Sequence, residues 1–138
     1  MEWRGLETFS FGDTPALADE LAALVLAGKK TATCWAASEG LLTDVGKRMV
    51  VLSGSGRPLA VVETVELTQC RFGEVDAAFA HDEGEGDRSL AYWRSAHRTY
   101  FTRLGRFAED MTLYCERFRI IERIAGPEEK ERGAGSGT

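Results

Sequence analysis

The sequence predicts an α+β domain, a small barrel or curled sheet with helices over its ends. Three observations carry this. Strand-like segments come in hairpin groups, a few helical segments separate them without regular strand–helix–strand alternation, and no internal repeat is visible. At 138 residues and 43% hydrophobic content, the chain can bury one core without disulfides or metal and is too short for two ordinary domains. One domain is expected over residues 1–125, followed by a disordered tail over 126–138, where Pro127 to Arg132 is charged and the end is rich in Gly and Ser.

Taken in order, Glu7 to Phe11 alternates enough for a short strand. Thr14 then stands as an N-cap with Pro15 at the first helical position, and the helix is expected to run to about Ala27. Its Leu17, Leu21, Leu24 and Val25 make one apolar stripe, and Gly28 suits the left-handed conformation that ends a helix. Lys29 and Lys30 lie just beyond, where the helix dipole favours cations. Thr31 to Ala36 is β-branched and aromatic enough for a strand. Met49 to Leu52 and Leu59 to Leu67 are the clearest strands, joined by the hairpin loop Ser53-Gly54-Ser55-Gly56. Phe72 to Ala80 reads as a short helix. After a glycine-rich acidic loop, Ser89 caps an amphipathic helix with Leu90, Trp93, His97 and Phe101 on one face. Met111 to Ile121 alternates into a last long strand.

Composition narrows the function. The net charge is −5, from 22 acidic and 17 basic side chains, which argues against holding long nucleic acid by phosphate neutralisation alone. Arg94, Arg98, Arg103 and Arg106 form a local basic cluster that reads either as a contact for a few phosphates or as a solvated helix face. Cys34, Cys70 and Cys115 are odd in number and lack a Cys-x-x-Cys pair, so neither a disulfide framework nor a zinc knuckle is indicated. No metal or cofactor is expected, and a reduced cytoplasm fits best. No apolar run reaches the length of a membrane span, and the N-terminus does not read as a signal peptide.

Two segments look least like simple packing. Lys30-Thr31-Ala32-Thr33 follows the first helix, and Glu83-Gly84-Glu85-Gly86-Asp87-Arg88-Ser89-Leu90 precedes the last one. Together they offer an amine, a hydroxyl and several carboxylates. A threonine hydroxyl is a poor nucleophile at neutral pH and needs a base; a lysine serves if burial or nearby positive charge, such as Lys29, lowers its pKa. A glutamate could then carry the proton to a leaving amine, with backbone N–H groups on the oxyanion. In an ideal strand, positions i and i+3 point to opposite faces, so Lys30 and Thr33 converge only if the chain bends between them.

These residues, with Val62-Glu63-Thr64, Phe79-Ala80, Tyr92-Trp93-Arg94, His97 and the closing Asp110-Met111 to Phe118 segment, resemble an ASCH domain over roughly residues 6–124. The resemblance implies a PUA-like fold, a small β-barrel with flanking helices, and a cleft near Gly28 and Lys29. It also implies proteins that bind or act on RNA or its nucleosides; one branch hydrolyses the acetyl amide of acetylcytidine. The positions matching that branch's Lys-x-x-Thr pair and glutamate are Lys30, Thr33 and Glu83, with Glu85 as the alternative acid/base. The branch's arginine two residues after the threonine is Trp35 here, an indole able to stack on a base. Gly28, Lys29, Trp35, Asp87 and Arg88 are the expected ligand contacts.

Two function classes follow. One is a metal-independent enzyme, an amidohydrolase or a ribonuclease, using Lys30, Thr33 and Glu83 or Glu85. The other is a module that recognises a nucleoside or short single-stranded RNA without chemistry. Each residue also has a structural role open to it: Lys30 as a partner of the helix dipole, Thr33 as a plain strand residue, Asp87 or Ser89 as a helix cap, His97 as a satisfied core histidine, and Trp93 and Phe101 as core. If the chain is an amidohydrolase, Thr33→Ala and Lys30→Ala are each expected to remove most turnover of an acylated cytidine while disturbing folding only modestly.

Overall fold

A computed structural model describes residues 2–124; the expected tail lies outside them. In chain order the elements are β1 (Glu7–Phe9), α1 (Pro15–Leu26), β2 (Ala32–Ala36), β3 (Arg48–Leu52), β4 (Pro58–Arg71), α2 (Ala77–Glu83), α3 (Leu90–Arg103) and β5 (Thr112–Arg123). The strands form one five-stranded sheet in the order β1-β3-β4-β5-β2. β1 runs parallel to β3, and all other neighbours are antiparallel.

The long pair β4 and β5 is the spine. Its register shifts between Val61 and Val62 and again between Thr64 and Glu66. Such bulges bend and twist a strand, and here they curl the sheet into a half-barrel whose two edges are β1 and β2. α1 covers part of one face, packing Leu21, Ala22 and Val25 on Val51, Val62 and Phe118. α2 and α3 pack on the opposite face, where Phe79, Trp93 and Phe101 meet Ala32, Ala36, Leu113 and Cys115. The α+β class and curled sheet are as the sequence predicts, and the PUA-like fold is as the resemblance implies.

Local signals explain most boundaries. The Thr14 hydroxyl accepts from the Leu17 N–H at 3.1 Å, with Pro15 opening α1. Gly28 has a positive φ of 79°, and the N–H groups of Lys29 and Lys30 both turn back to the Leu24 carbonyl. The Ser89 hydroxyl accepts from the Tyr92 N–H at the start of α3. Three boundaries differ from expectation. β1 stops at Phe9 because Gly12, at φ 76°, turns the chain, and Phe11 folds into the core. β4 continues to Arg71 because β5 pairs with it that far, matching Arg71 to Thr112. The helix expected over 72–80 splits into a 3₁₀ turn at Phe72–Glu74 and α2, because Val75 and Asp76 are extended and the Asp76 carboxylate caps a new helix at the Phe79 N–H.

Candidate active site

Lys30 sits after α1 and before β2, in a turn rather than a strand, so the opposite-face rule does not apply to the Lys30–Thr33 spacing. The turn sends the Lys30 side chain inward until only 1% of the residue is exposed. Its ammonium donates to Glu83 Oε1 at 2.8 Å, to the Glu83 carbonyl at 3.3 Å and to Glu85 Oε2 at 3.0 Å. It also lies 5.5 Å from the centre of the Phe11 ring. Glu83, the last residue of α2, is equally buried. Its Oε2 accepts from the Trp93 indole N–H at 3.0 Å, and His97 Nε2 stands 3.5 Å away. The His97 ring stacks on Trp93 with centroids 4.3 Å apart, and its Nδ1 meets the Trp93 carbonyl at 2.9 Å.

A cavity of about 380 Å³ opens on this cluster between α1, α3 and the free edge of β2. Lys30, Thr33, Cys34, Glu83, Glu85 and His97 all line it. No hydrogen bond joins Thr33 to Lys30 or to any other side chain among the described residues. A second cavity of about 240 Å³ adjoins the first and shares Thr33, Cys34 and Tyr100 with it.

Electrostatics set the resting proton inventory. Burial pulls the Lys30 pKa down, but the Glu83 and Glu85 charges outweigh it and hold Lys30 above the ordinary lysine value. For Glu83, burial pushes upward, and Lys30, His97 and the indole N–H bring it below the ordinary glutamate value. The resting pair is an ammonium facing a carboxylate. This corrects the expectation that Lys29 would help lower the Lys30 pKa: the nearest charges are negative. Burial and the Glu83 charge push the Cys34 thiol well above its ordinary value, so it rests protonated.

The remaining expected contacts are not brought to this cavity. Arg88, at φ 66°, donates to the His81 carbonyl at 3.0 Å and the Lys29 carbonyl at 3.3 Å, fastening the acidic loop to α2 and to the turn after α1. The Asp87 carboxylate accepts from the Ser89 N–H at 2.9 Å, and those Ser89 contacts hold its pKa down. Gly28 lies beside Val25 and Thr31 in a separate surface recess. Lys29 is exposed, and Trp35 lines the second cavity with its indole N–H on the Gly40 carbonyl. In the arginine cluster, Arg98 pairs with Glu109, Arg103 with Asp13, Arg94 reaches the Gly73 carbonyl and Arg106 reaches Ser38.

Sequence reasoning passed over Cys34, Tyr100 and Glu116 as site residues and placed Trp93 and His97 in the core. Trp93 is core, yet its N–H also fixes Glu83. A signal for Glu116 existed: Tyr114, Glu116 and Phe118 share one face of β5, and a carboxylate in an apolar period is unusual.

Residues 7–122 match the ASCH domain family. The chain belongs to that family. Among solved structures, it is similar to an ASCH domain from Lactobacillus crispatus JV V101, with 35% identity, a TM-score of 0.78, and 87% of this chain and 82% of that one covered. It is also similar to a protein from Enterococcus faecalis V583, with 28% identity, a TM-score of 0.80, and 98% and 86% coverage. ASCH from Zymomonas mobilis shares the fold, with 13% identity, a TM-score of 0.55, and 92% and 76% coverage. No curated protein matches the chain. Among the described residues, no helix is long and apolar enough to cross a membrane.

Proposed function

We propose that this protein is a metal-independent amidohydrolase that removes an acyl group from the amino nitrogen of a modified nucleoside, with an acylated cytidine as the leading substrate. The observation that carries the reading is a fully buried Lys30–Glu83 ion pair opening on the same cavity as the Thr33 hydroxyl, which has no hydrogen-bond partner among the described residues. Burying two charges costs several kcal/mol per ion before pairing, so such a pair is weak evidence for stability and stronger evidence for a site. The ASCH resemblance, with Lys30, Thr33 and Glu83 on the acetylcytidine branch's positions, supports the same chemistry.

The resting pair is converted by the substrate. An acyl nucleoside filling the cavity expels water, and desolvation favours the neutral form of a carboxylate–ammonium pair. A proton passes from Lys30 to a carboxylate, leaving a free amine. Lys30 takes the Thr33 proton as the Thr33 oxygen bonds to the amide carbon and the carbonyl electrons move to oxygen. Collapse of that intermediate breaks the C–N bond, and Lys30 returns the proton to the departing nitrogen. Water then attacks the threonyl ester, its proton passing to the same amine; collapse breaks the ester C–O bond, the Thr33 oxygen takes that proton back from Lys30, and the carboxylic acid leaves. Glu83 holds Lys30 in place and carries its proton between steps; Glu85 is the second carboxylate available for that role.

One observation favours the alternative, a recognition module: Lys30 is occupied by two carboxylates and, among the described residues, has no hydrogen bond to Thr33. Assays of the wild type, Thr33→Val, Thr33→Ser and Lys30→Arg against N4-acetylcytidine and a short single-stranded RNA decide between them. Turnover of the nucleoside, lost by at least about 100-fold in Thr33→Val and Lys30→Arg and partly retained in Thr33→Ser, is the expected result. Binding without turnover in the wild type moves the reading to a module acting on a nucleoside or short RNA. A cytoplasmic location suits either reading, since Cys34, Cys70 and Cys115 are all free thiols.

A further inference from the structure

The second cavity lies inside the curl of the sheet, reached by Phe9 from one edge strand and by Trp35 from the other. Phe11, Met49 and the half-exposed Leu42 add apolar wall, and the charged Glu39 and Lys47 line it as well. Into this setting projects a carboxyl. Glu116 is the direct cross-strand partner of Thr33 in the pairing of β2 with β5, so the two side chains stand side by side on one face. Trp35 and Tyr114 are the next such pair, with ring centres 5.6 Å apart.

The Glu116 carboxyl is built in on one side and open on the other. Thr64 donates to Glu116 Oε2 at 2.6 Å, and Thr43 in turn meets the Thr64 hydroxyl at 2.8 Å. Thr64 pairs with Phe118 at the β4 bulge that skips Val65, and its hydroxyl reaches Glu116 diagonally along β5. Oε1 has no hydrogen-bond partner among the described residues. Burial raises the Glu116 pKa, with Thr64 and the distant Lys30 charge compensating only in part. An acceptor held in an aromatic-walled cavity and short of one donor is suited to a flat heteroaromatic ring with an N–H on its edge.

We propose that the second cavity is the base subsite of the enzyme. Glu116 accepts a hydrogen bond from the exocyclic amino or amide N–H of a cytosine- or adenine-type base, Trp35 contributes to the wall against the ring, and Thr33 meets the substituent on that nitrogen. The inference rests on the nucleoside reading above and adds to it the residue that selects the base. Uracil places a carbonyl oxygen where the amino nitrogen would be, so two acceptors would face each other, an arrangement that a site of this kind rejects strongly.

The test is a titration of the full chain with cytidine, adenosine and uridine by calorimetry, repeated with Glu116→Gln, together with kcat and KM for N4-acetylcytidine. The amide keeps the size of the side chain but has to spend its carbonyl on Thr64. The wild type is expected to prefer an amino-bearing nucleoside over uridine. Glu116→Gln is expected to weaken that binding and raise KM by about 10-fold or more, with kcat changed less than about 3-fold and the preference over uridine narrowed. Unchanged affinity and preference in Glu116→Gln, with turnover intact, overturn the base subsite and leave the hydrolase standing. A wild type that neither binds nor converts any nucleoside overturns both. Should the variant not fold, amide chemical shifts of the wild type on adding cytidine carry the test. Changes at Thr43, Thr64 and Glu116 support the subsite, and changes confined to Glu85 through Arg88 overturn it.

Discussion

At Lys30 the structure reverses a prediction about stability. A lysine after a helix reads as an exposed dipole partner whose loss is mild, but the side chain is buried and neutralises Glu83. Removing one member of such a pair leaves a buried charge, so Lys30→Ala is expected to cost about 3–5 kcal/mol in urea unfolding. Thr33→Ala, which leaves no charge unpaired, is expected to cost less than about 1 kcal/mol. The pair also predicts a pH profile. Lys30 is raised in the folded state, so its contribution is complete below the ordinary lysine value and is lost as pH rises through the folded one. Glu83 is lowered, so its contribution is complete above the ordinary glutamate value and is lost as pH falls through the folded one. In Lys30→Ala the lone Glu83 is driven up by burial, so the melting-temperature gap to wild type should be widest on the alkaline side, short of the lysine range, and should narrow as pH falls through neutrality toward about pH 4. A gap that stays constant from alkaline pH down to about pH 4 would count against the ammonium–carboxylate assignment.

The site depends on how the end of α2 meets the turn after α1. Gly84 caps α2 at φ 78°, and a Cβ there would lie 2.4 Å from the Lys29 carbonyl oxygen. Glycine is thus required twice, by the left-handed backbone and by the contact. Its neighbours Glu83 and Glu85 are the two carboxylates on Lys30, so this close approach is what aims them. Gly84→Ala is expected to lose at least about 2 kcal/mol of stability and most turnover, since the backbone has to retreat and carry both carboxylates with it. By comparison, Ser89→Ala removes only the cap of α3 and is expected to cost about 1 kcal/mol with activity retained. The Ser89 and Thr14 caps were legible because a cap is a short-range signal. The splitting of the helix expected over 72–80 was less so: Phe72 and Val75 are placed by burial against the sheet rather than by local preference.

At the level of the whole molecule, the charge argues for small ligands. Net charge is −5, and the arginines of α3 and the loop after it are engaged with carboxylates, carbonyls or Ser38. Binding of a duplex is therefore expected to be weak, and nucleoside binding to change less than about 3-fold between 50 and 200 mM salt. Fluorescence titrations at the two salt concentrations check this; tight duplex binding with a steep salt dependence would contradict it.

The sequence by itself determined most of the elements, though not the far end of β4 or the split over 72–80, and it pointed to the family. Periodicity, capping residues and hairpin glycines act over a few positions, and the two separated motifs around Lys30 and Glu83 mark an ASCH domain wherever the chain goes in between. It also supplied Lys30, Thr33, Glu83 and Glu85 as one set of candidates, which the fold gathers around one cavity. What only the tertiary structure decided is the chemistry those groups start from. Whether Lys30 rests as an amine or an ammonium depends on partners 53 and 55 positions away, and pairing Thr33 with Glu116 depends on strand register across the sheet. Desolvation and Coulomb interactions are properties of distances in space, and a linear sequence does not contain those distances until the curl of β4 and β5 brings the edge strand, the end of α2 and the face of α3 together.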